Sequence, residues 1–399
     1  YKVLDALARG SSVPVPRPVT LCTDSGVVGT PFYLMEYAQG HIYLDPNLPT
    51  CDPPLRSHLY RQMAHTLAAL HAAQPDRIGL AGYGEAGHYC ARQLKRWGAQ
   101  YAASRRAGAG APALPEVERL LGWLAAHVPA EDAAPPRPAI VHGDYRLDNL
   151  VFTPPGATSR ASGAPATNAS GAPQLAAVLD WELSTLGNPW SDVAYNCMPY
   201  HLPDMPVLKK LGSGAGGGLA AGIPGEAEYV AWYCQAAGVS PPSPQDWSFY
   251  LALSLFRLLA ILAGVQARAQ QGNASSAHAV AVSSDAVLRS LAHAALAIIA
   301  RSEAEAQRPP SPSSPTCYAA SFEAAAAPRL IATTSTTPSA TSAFLPTTST
   351  STLVAAATAG SGAKGGSSSS SNGGLGGGTG VAGPAQLPPR VRDLLARLN

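Results

Sequence analysis

The chain has 399 residues, with 27 Lys and Arg against 25 Asp and Glu and a net charge of +2. This near-neutral balance, without a basic stripe, argues against a nucleic-acid or anionic-membrane partner. Six scattered cysteines without a Cys-x-x-Cys pair predict reduced thiols of an intracellular protein. Cytoplasm, mitochondrion and peroxisome all remain open as its compartment.

The periodicity of apolar residues predicts a mostly helical chain with a few short strands. Helices are expected over 1–8, 53–73, 89–104, 114–127, 227–237, 244–271 and 277–300. Strands are expected over 19–22, 32–37, 139–141, 150–152 and 175–178. Segment 153–174 has almost no charge and is expected to be a disordered insert between two strands of a hairpin. Because closure entropy grows only slowly with loop length, such an insert should leave the hairpin geometry intact.

The apolar run Tyr250–Val265 is short for a membrane span and contains Ser254 and Arg257, so it predicts a buried core helix. Arg257 then needs a partner, either a carboxylate of the protein or a substrate phosphate or carboxylate. No signal peptide is visible, and a chain that starts at Tyr1 without Met is expected to be truncated.

A polar loop between the strands at 139–141 and 150–152 carries the residues that packing does not need. They are His142, Asp144, Arg146, Asp148 and Asn149. The strand at 175–178 leads into two further carboxylates, Asp180 and Glu182. A phosphoryl-transfer site needs a carboxylate that orients an attacking hydroxyl, and a carboxylate and an amide oxygen that hold Mg²⁺. Asp144 suits the first role, and Asn149 with Asp180 suits the second.

The spacing His-Gly-Asp, four residues, Asn, followed by an apolar residue and Asp-Trp-Glu, resembles the aminoglycoside phosphotransferase/choline kinase family. The resemblance continues through Gly187–Pro189 and Asp192–Tyr195 and extends back to Gly29–Tyr37, covering roughly residues 1–301. It is nearest to the kinase-like domain fused to acyl-CoA dehydrogenases.

The resemblance implies an α+β, protein-kinase-like two-lobe fold with a truncated N-terminal lobe and a mostly helical C-terminal lobe. Residues 1–40 would be the remnant of the small lobe and hinge, and 41–301 the large lobe. A low-complexity linker is expected over 302–386, and 387–399 would begin a further helical segment. An acyl-CoA dehydrogenase domain fused downstream is the implied covalent partner.

The resemblance also implies ATP and Mg²⁺ as cofactors and a small-molecule hydroxyl as acceptor, with a hydroxyacyl-CoA or related hydroxy acid as the candidate. Backbone groups of Met35, Glu36 and Tyr37 would read the adenine edge. Asp144 would position the acceptor hydroxyl and take its proton, while Asn149 and Asp180 bind magnesium.

The remaining loop residues have supporting roles in this interpretation. Glu182 would bind a second metal ion directly or through water. His142 and Asp192 would brace the loop by hydrogen bonds, and Asp148 would be structural. For Arg146 two roles stay open, a contact with a substrate anion or a local ion pair.

Two other functions stay open at this point. A metal-dependent phosphohydrolase would use the same carboxylates with water as the nucleophile. A non-catalytic kinase-like binding module is the second, because no glycine-rich phosphate loop or strand lysine with its glutamate partner is found upstream of the hinge. Lys2 lies in a helical pattern and is not assigned the phosphate role.

Overall fold

The computed structural model describes residues 1–107, 112–135, 138–154, 171–205, 209–212, 218–271, 284–307 and 353–357. The chain divides into two units. The smaller consists of Tyr1, Pro16–Tyr37 and Phe344–Asn399, and the larger of Lys2–Val15 and Ala38–Ala343.

Helices outnumber strands among the described residues. The helices are α1 (Lys2–Gly10), α2 (Pro53–Ala72), α3 (Tyr89–Ala107), α4 (Pro115–Ala126), α5 (Trp190–Cys197), α6 (Glu226–Ala237), α7 (Pro244–Gln270) and α8 (Asp285–Ala306). The strands are β1 (Pro18–Cys22), β2 (Phe32–Glu36), β3 (Ala139–Val141), β4 (Leu150–Phe152), β5 (Leu175–Val178), β6 (Thr185–Gly187) and β7 (Leu353–Ala357).

The smaller unit contains one antiparallel sheet in the order β1-β2-β7. The predicted pairing of the first two strands is confirmed. Strand β7 lies inside the segment predicted to be a low-complexity linker, where no strand was predicted. Leu353–Ala357 is an apolar run in a Ser-, Thr- and Gly-rich segment, and it pairs along the otherwise open edge of β2.

The core of the larger unit surrounds α7, which packs against α3, α5 and α8, while α2 packs against α6. The large apolar side chains along α7 are buried: Trp247, Tyr250, Leu251, Phe256, Leu259 and Leu262. By length and composition α7 is apolar enough to cross a membrane, but 83% of its most apolar window is buried inside the protein. Helix α7 is therefore a buried core helix, as predicted.

Helix α8 corrects one predicted boundary. It ends at Ala306 rather than at residue 300, so the linker does not begin at 302. The extra turn carries helix-favouring Ala and Glu residues, and Trp123 Nε1 donates to Glu303 Oε1 at 2.8 Å, which holds it against α4. The predicted start at residue 277 and the predicted helical segment 387–399 lie outside the described residues.

The N-terminal helix corrects the predicted 1–40 unit. Helix α1 belongs to the larger unit, where its Val3, Leu4 and Leu7 side chains are buried. Beyond α1, the Pro14 carbonyl accepts the Val178 N–H at 2.8 Å, which ties this segment to β5. Burial of its apolar face therefore places α1 in the larger unit, although α1 is close in sequence to the first sheet.

Two short antiparallel pairs carry the polar loops, β3 with β6 and β4 with β5. The predicted β4–β5 hairpin is confirmed, whereas β6 was not predicted. At the base of the insert, the Thr153 N–H donates to the Gln174 carbonyl at 2.7 Å, and the Gln174 N–H donates to Thr153 Oγ1 at 2.8 Å. These two bonds hold the ends of β4 and β5 together at the base of the insert. Residues 155–170 lie outside the described part, so their predicted disorder stays a prediction.

Candidate functional site

The loop that follows β3 turns sharply at Gly143, which has a φ of +83°. A Cβ atom at this position would lie 2.7 Å from the Leu183 carbonyl oxygen. Both the positive φ and the close approach of the next loop require glycine here. The loop after β5 therefore packs directly on the loop that carries Asp144.

A buried carboxylate holds the turn. Asp192, on the first turn of α5, accepts the His142 N–H at 2.6 Å and the Gly143 N–H at 2.9 Å. His71 Nε2 lies 3.3 Å from the same carboxylate, and its Nδ1 is 2.8 Å from the Tyr233 hydroxyl. Burial alone would raise the pKa of Asp192, but the His71 hydrogen bond and the neighbouring histidines hold it below its usual value.

His142 connects the two polar loops. Its Nε2 is 2.8 Å from the Leu179 carbonyl, which can only accept, so Nε2 carries the proton. Its Nδ1 then accepts the Asp144 N–H at 3.1 Å. Burial lowers the pKa of His142, although Asp192 and Asp180 act in the opposite direction. A neutral His142 with one fixed tautomer makes both hydrogen bonds. These bonds hold the Asp144 loop against the loop after β5, as predicted for a bracing residue.

Asp144 and Asn149 lie against each other at the mouth of the loop. Asn149 Nδ2 donates to the Asp144 carbonyl at 2.9 Å and to Asp144 Oδ2 at 3.2 Å. Because the carbonyl can only accept, the amide nitrogen must face it, and Asn149 Oδ1 is left as the free acceptor. Asp144 keeps 18% of its side chain exposed, enough for contact with a ligand.

Asp180 lies next to the residue of the hairpin that pairs with Asn149. The Leu179 N–H donates to the Asn149 carbonyl at 2.9 Å, so Asp180 follows directly on the residue paired with Asn149. Its φ of +64° is in the left-handed region, which costs a non-glycine residue about 1–3 kcal/mol. Such strain is concentrated at functional sites, and here it accompanies an exposed carboxylate.

These side chains fit a hard divalent cation. The free Asn149 amide oxygen and the Asp180 carboxylate are the oxygen donors that Mg²⁺ takes, usually together with substrate phosphates. Glu182 is exposed in the turn after Trp181, and its metal role stays a prediction. Within the described ranges, no three His, Cys, Asp or Glu side chains group closely enough to hold a metal by themselves. A metal here would therefore rely on few protein ligands.

Arg146 makes local ion pairs. Its Nη2 donates to Asp148 Oδ2 at 2.9 Å, and its Nε lies 3.5 Å from Asp144 Oδ1. Burial by itself would lower the pKa of Arg146, but its electrostatic interactions with Tyr195 and with the carboxylates of Asp144 and Asp148 outweigh this and raise the pKa. Of the two roles left open, the geometry supports the local pair.

Arg257 of α7 contacts the loop that carries Asp144. It donates to the Gly143 carbonyl, and its guanidinium lies 4.5 Å from the Tyr195 ring centroid and 5.4 Å from that of Trp97. The structure thus gives Arg257 a carbonyl and two aromatic faces as partners, and not the protein carboxylate that was one of the two predicted alternatives. Burial raises the pKa of Tyr195 to about 12, and nearby Arg257 acts against this rise while Asp144 adds to it.

A cavity of about 160 Å³ opens beside the loop. Arg146 and Asp148 line it from the loop side, and Tyr195 and Asn196 line it from α5. We call it the loop cavity. The sequence predicted no role for Tyr195, Asn196 or the apolar lining residues, because they come from distant segments without a shared motif.

The predicted adenine-binding residues belong to the smaller unit. Met35 and Glu36 lie in β2, where the Glu36 N–H donates to the Arg17 carbonyl at 2.9 Å. Tyr37 follows the strand and is 46% exposed. Their contact with a nucleotide stays a prediction.

Comparison with known proteins identifies the family of this chain. The model of the Phosphotransferase enzyme family matches residues 1–164. A solved structure from Ralstonia eutropha JMP134, assigned to the aminoglycoside phosphotransferases, is 38% identical with a TM-score of 0.61. That match covers 75% of this chain and 82% of the other. The chain belongs to this phosphotransferase family.

Membership in the phosphotransferase family confirms the resemblance read from the two loops and the kinase-like α+β fold. The general activity that the family and fold support is phosphoryl transfer to small molecules.

Curated relatives of this phosphotransferase are longer proteins. IBR3 of Arabidopsis thaliana, named a probable acyl-CoA dehydrogenase, is 40% identical over 312 residues, or 78% of this chain and 36% of the relative. Acyl-CoA dehydrogenase family member 10 of Mus musculus is 41% identical over 280 residues, or 70% of this chain and 23% of the relative. The chain thus spans about a third or less of the length of these relatives.

Proposed function

We propose that the protein transfers the γ-phosphoryl group of ATP to the hydroxyl of a small molecule, with Mg²⁺ as the metal. The observation that carries the proposal is the hydrogen-bonded pair of Asp144 and Asn149, linked to Asp180 through the 2.9 Å Leu179–Asn149 bond. A positioned base beside amide and carboxylate oxygens is what phosphoryl transfer requires of a protein.

In this mechanism Asp144 accepts a hydrogen bond from the acceptor hydroxyl and directs its oxygen at the γ-phosphorus. A bond forms between that oxygen and phosphorus, the bond from phosphorus to the β,γ-bridging oxygen breaks, and ADP leaves. The hydroxyl proton passes to an Asp144 carboxylate oxygen. Asn149 Oδ1 and Asp180 would hold Mg²⁺, which supplies neutralisation of the phosphate charge.

The bracing residues contribute position rather than proton transfer. Phosphoryl transfer gains most of its rate from alignment and charge neutralisation. His142 fixes the Asp144 backbone from one side, and Asp192 fixes the peptide before it. A shift of Asp144 would misalign the acceptor oxygen, so both residues support the rate without touching substrate.

For the acceptor we propose a hydroxyacyl-CoA or a related hydroxy acid. The support is the names of the longer relatives, which are acyl-CoA dehydrogenases. We further propose that the whole protein carries a fused acyl-CoA dehydrogenase domain, and that backbone groups of Met35, Glu36 and Tyr37 read the adenine.

The test incubates the full-length protein with ATP, Mg²⁺ and a series of hydroxy acids and their CoA thioesters. Phosphotransfer predicts ADP formation only when an acceptor is present, with a phosphate ester visible by ³¹P NMR. Release of inorganic phosphate without an acceptor would instead indicate a phosphohydrolase. No measurable binding of an ATP analogue in the presence of Mg²⁺, together with no turnover of any acceptor, would indicate a binding module. Samples in EDTA serve as the metal-free control.

A further inference from the structure

The loop cavity differs in chemistry from a site for a cationic sugar. Its wall away from the catalytic loop is apolar and buried, with Tyr60 4%, Met63 2%, Met198 3% and Leu202 3% exposed. Its polar part holds Arg146 and Lys209 against one carboxylate, Asp148. Because Arg146 is paired with Asp148, Lys209 is the lining cation that remains for a ligand, and an apolar wall beside it suits a molecule with an aliphatic part and an anionic group.

The cavity wall is fixed relative to the catalytic loop. Tyr145 follows Asp144 in the chain, and its hydroxyl donates to the Met63 carbonyl of α2 at 3.0 Å. The Tyr145 carbonyl in turn accepts from Asn196 Nδ2 at 3.0 Å. The distance from the Asp144 carboxylate to the Met63 wall is therefore set by one fully buried residue and its hydrogen bonds.

A second bond fixes the opposite wall. The Tyr60 hydroxyl donates to the Pro46 carbonyl at 2.7 Å, which ties α2 to the segment that carries Leu44. Leu44 is 80% exposed at the rim, whereas Leu202 is buried on the wall. The cavity thus has an exposed leucine at its rim, a polar part at the loop and buried apolar side chains along its wall.

We propose that the loop cavity holds the aliphatic part of the acceptor, and that Met63 and Leu202 determine how long a chain it admits. The proposal rests on the proposed function and adds the residues that set specificity. Because the reacting hydroxyl must lie at Asp144, a chain that extends past Met63 or Leu202 cannot enter without pulling the hydroxyl away. Chain length and turnover are thereby coupled.

The experiment measures kcat/KM with the full-length protein, ATP and Mg²⁺ across hydroxy acids that share one hydroxyl position and differ only in chain length. Met63→Ala and Leu202→Ala enlarge the cavity, and Leu202→Phe fills it. One methylene in an apolar pocket is worth about 10-fold or more in kcat/KM, so the two Ala variants should raise the long-to-short ratio by about 10-fold. Leu202→Phe should lower that ratio by a similar factor.

Leu67→Ala is the matched control. Leu67 lies one turn along α2 from Met63, is fully buried and does not line the cavity. Its loss should reduce stability while leaving the long-to-short ratio within about twofold of the parent. Met63→Leu conserves volume and provides a foldable second variant, with a profile close to that of the parent.

Two failures are distinguishable. If the parent transfers phosphate but Met63→Ala, Leu202→Ala and Leu202→Phe all keep the parental chain-length profile, the cavity does not hold the chain and the inference is overturned. If the parent phosphorylates none of the acceptors, the proposed function itself fails, and the assignment of the cavity fails with it.

Discussion

The carboxylate of Asp192 accepts the backbone N–H of His142 at 2.6 Å, although the two residues are 50 positions apart in the chain. This bond joins the first turn of α5 to the end of β3. The same carboxylate takes the Gly143 N–H at 2.9 Å, so one buried side chain satisfies two loop donors. The conformation of the candidate catalytic loop is thus decided by a residue outside it.

Replacing Asp192 by Asn should therefore destabilise the protein. The amide keeps the shape but turns one acceptor oxygen into a donor that faces another N–H. We expect a loss of about 2–4 kcal/mol in the free energy of unfolding, measured by urea titration. Asp76→Asn, at an exposed position, is the control. Equal midpoints for the two variants would show that the Asp192 bonds contribute nothing.

The buried His142 predicts acid sensitivity. Burial lowers its folded-state pKa below the ordinary 6.5, so below that pH the unfolded state binds the proton first. Stability should therefore fall as pH decreases from about 6.5 towards the folded-state pKa, by at most about 1.4 kcal/mol per pH unit. Asp192, whose folded-state pKa is also lowered, adds stability above its unfolded pKa that is lost only in stronger acid.

His142→Asn tests this assignment, because the amide does not titrate and retains an acceptor near the Asp144 N–H. Urea midpoints measured between pH 7.5 and 5 should decline less steeply for the variant than for the parent. Parallel curves would assign the acid sensitivity to other groups.

Gly143 should not tolerate a side chain. Alanine there would combine a φ of +83° with a Cβ atom 2.7 Å from the Leu183 carbonyl oxygen. We expect Gly143→Ala to lower stability by about 2 kcal/mol or more. Gly122→Ala, in α4 with open space around it, should raise stability by about 0.5–1 kcal/mol. Thermal unfolding of both variants checks this, and a shift in the same direction would contradict the strain argument.

Arg257 is a positioning residue in this account, since it holds the Gly143 carbonyl and stacks on Tyr195. Arg257→Met should lower kcat by about 10-fold or more while KM for ATP changes little, because alignment rather than nucleotide affinity is lost. Arg268→Met, at the exposed end of the same helix, should leave both constants near parental values. A purely structural Arg257 would show lower stability with unchanged kcat.

The contact between Asp144 and Asn149 was easier to predict from the sequence than the contacts around it. Asp144 and Asn149 share one short loop, so the contact between them could be predicted from their spacing. The partner of Arg257 lies 114 residues away at a backbone carbonyl, which carries no residue-type signal. The loop cavity was not predicted either, because its lining residues come from distant segments of the chain.

Among the elements, long amphipathic helices were predicted well and short strands less so. Strand β6 has only three residues, too few for a sequence pattern, and its pairing with β3 is what makes it a strand. Strand β7 lies in low-complexity sequence, where composition favours a linker and only pairing with β2 reveals a strand. Both are cases in which tertiary pairing overrides local preference.

The central claim is that the Asp144 carboxylate positions the acceptor hydroxyl for transfer. The most direct measurement is the single-turnover rate of phosphate ester formation by full-length Asp144→Asn, with ATP-analogue affinity measured alongside and Asp76→Asn as control. We expect the rate of Asp144→Asn to be at least about 100-fold below that of the parent, with nucleotide affinity retained. A rate within about tenfold of the parent would contradict it.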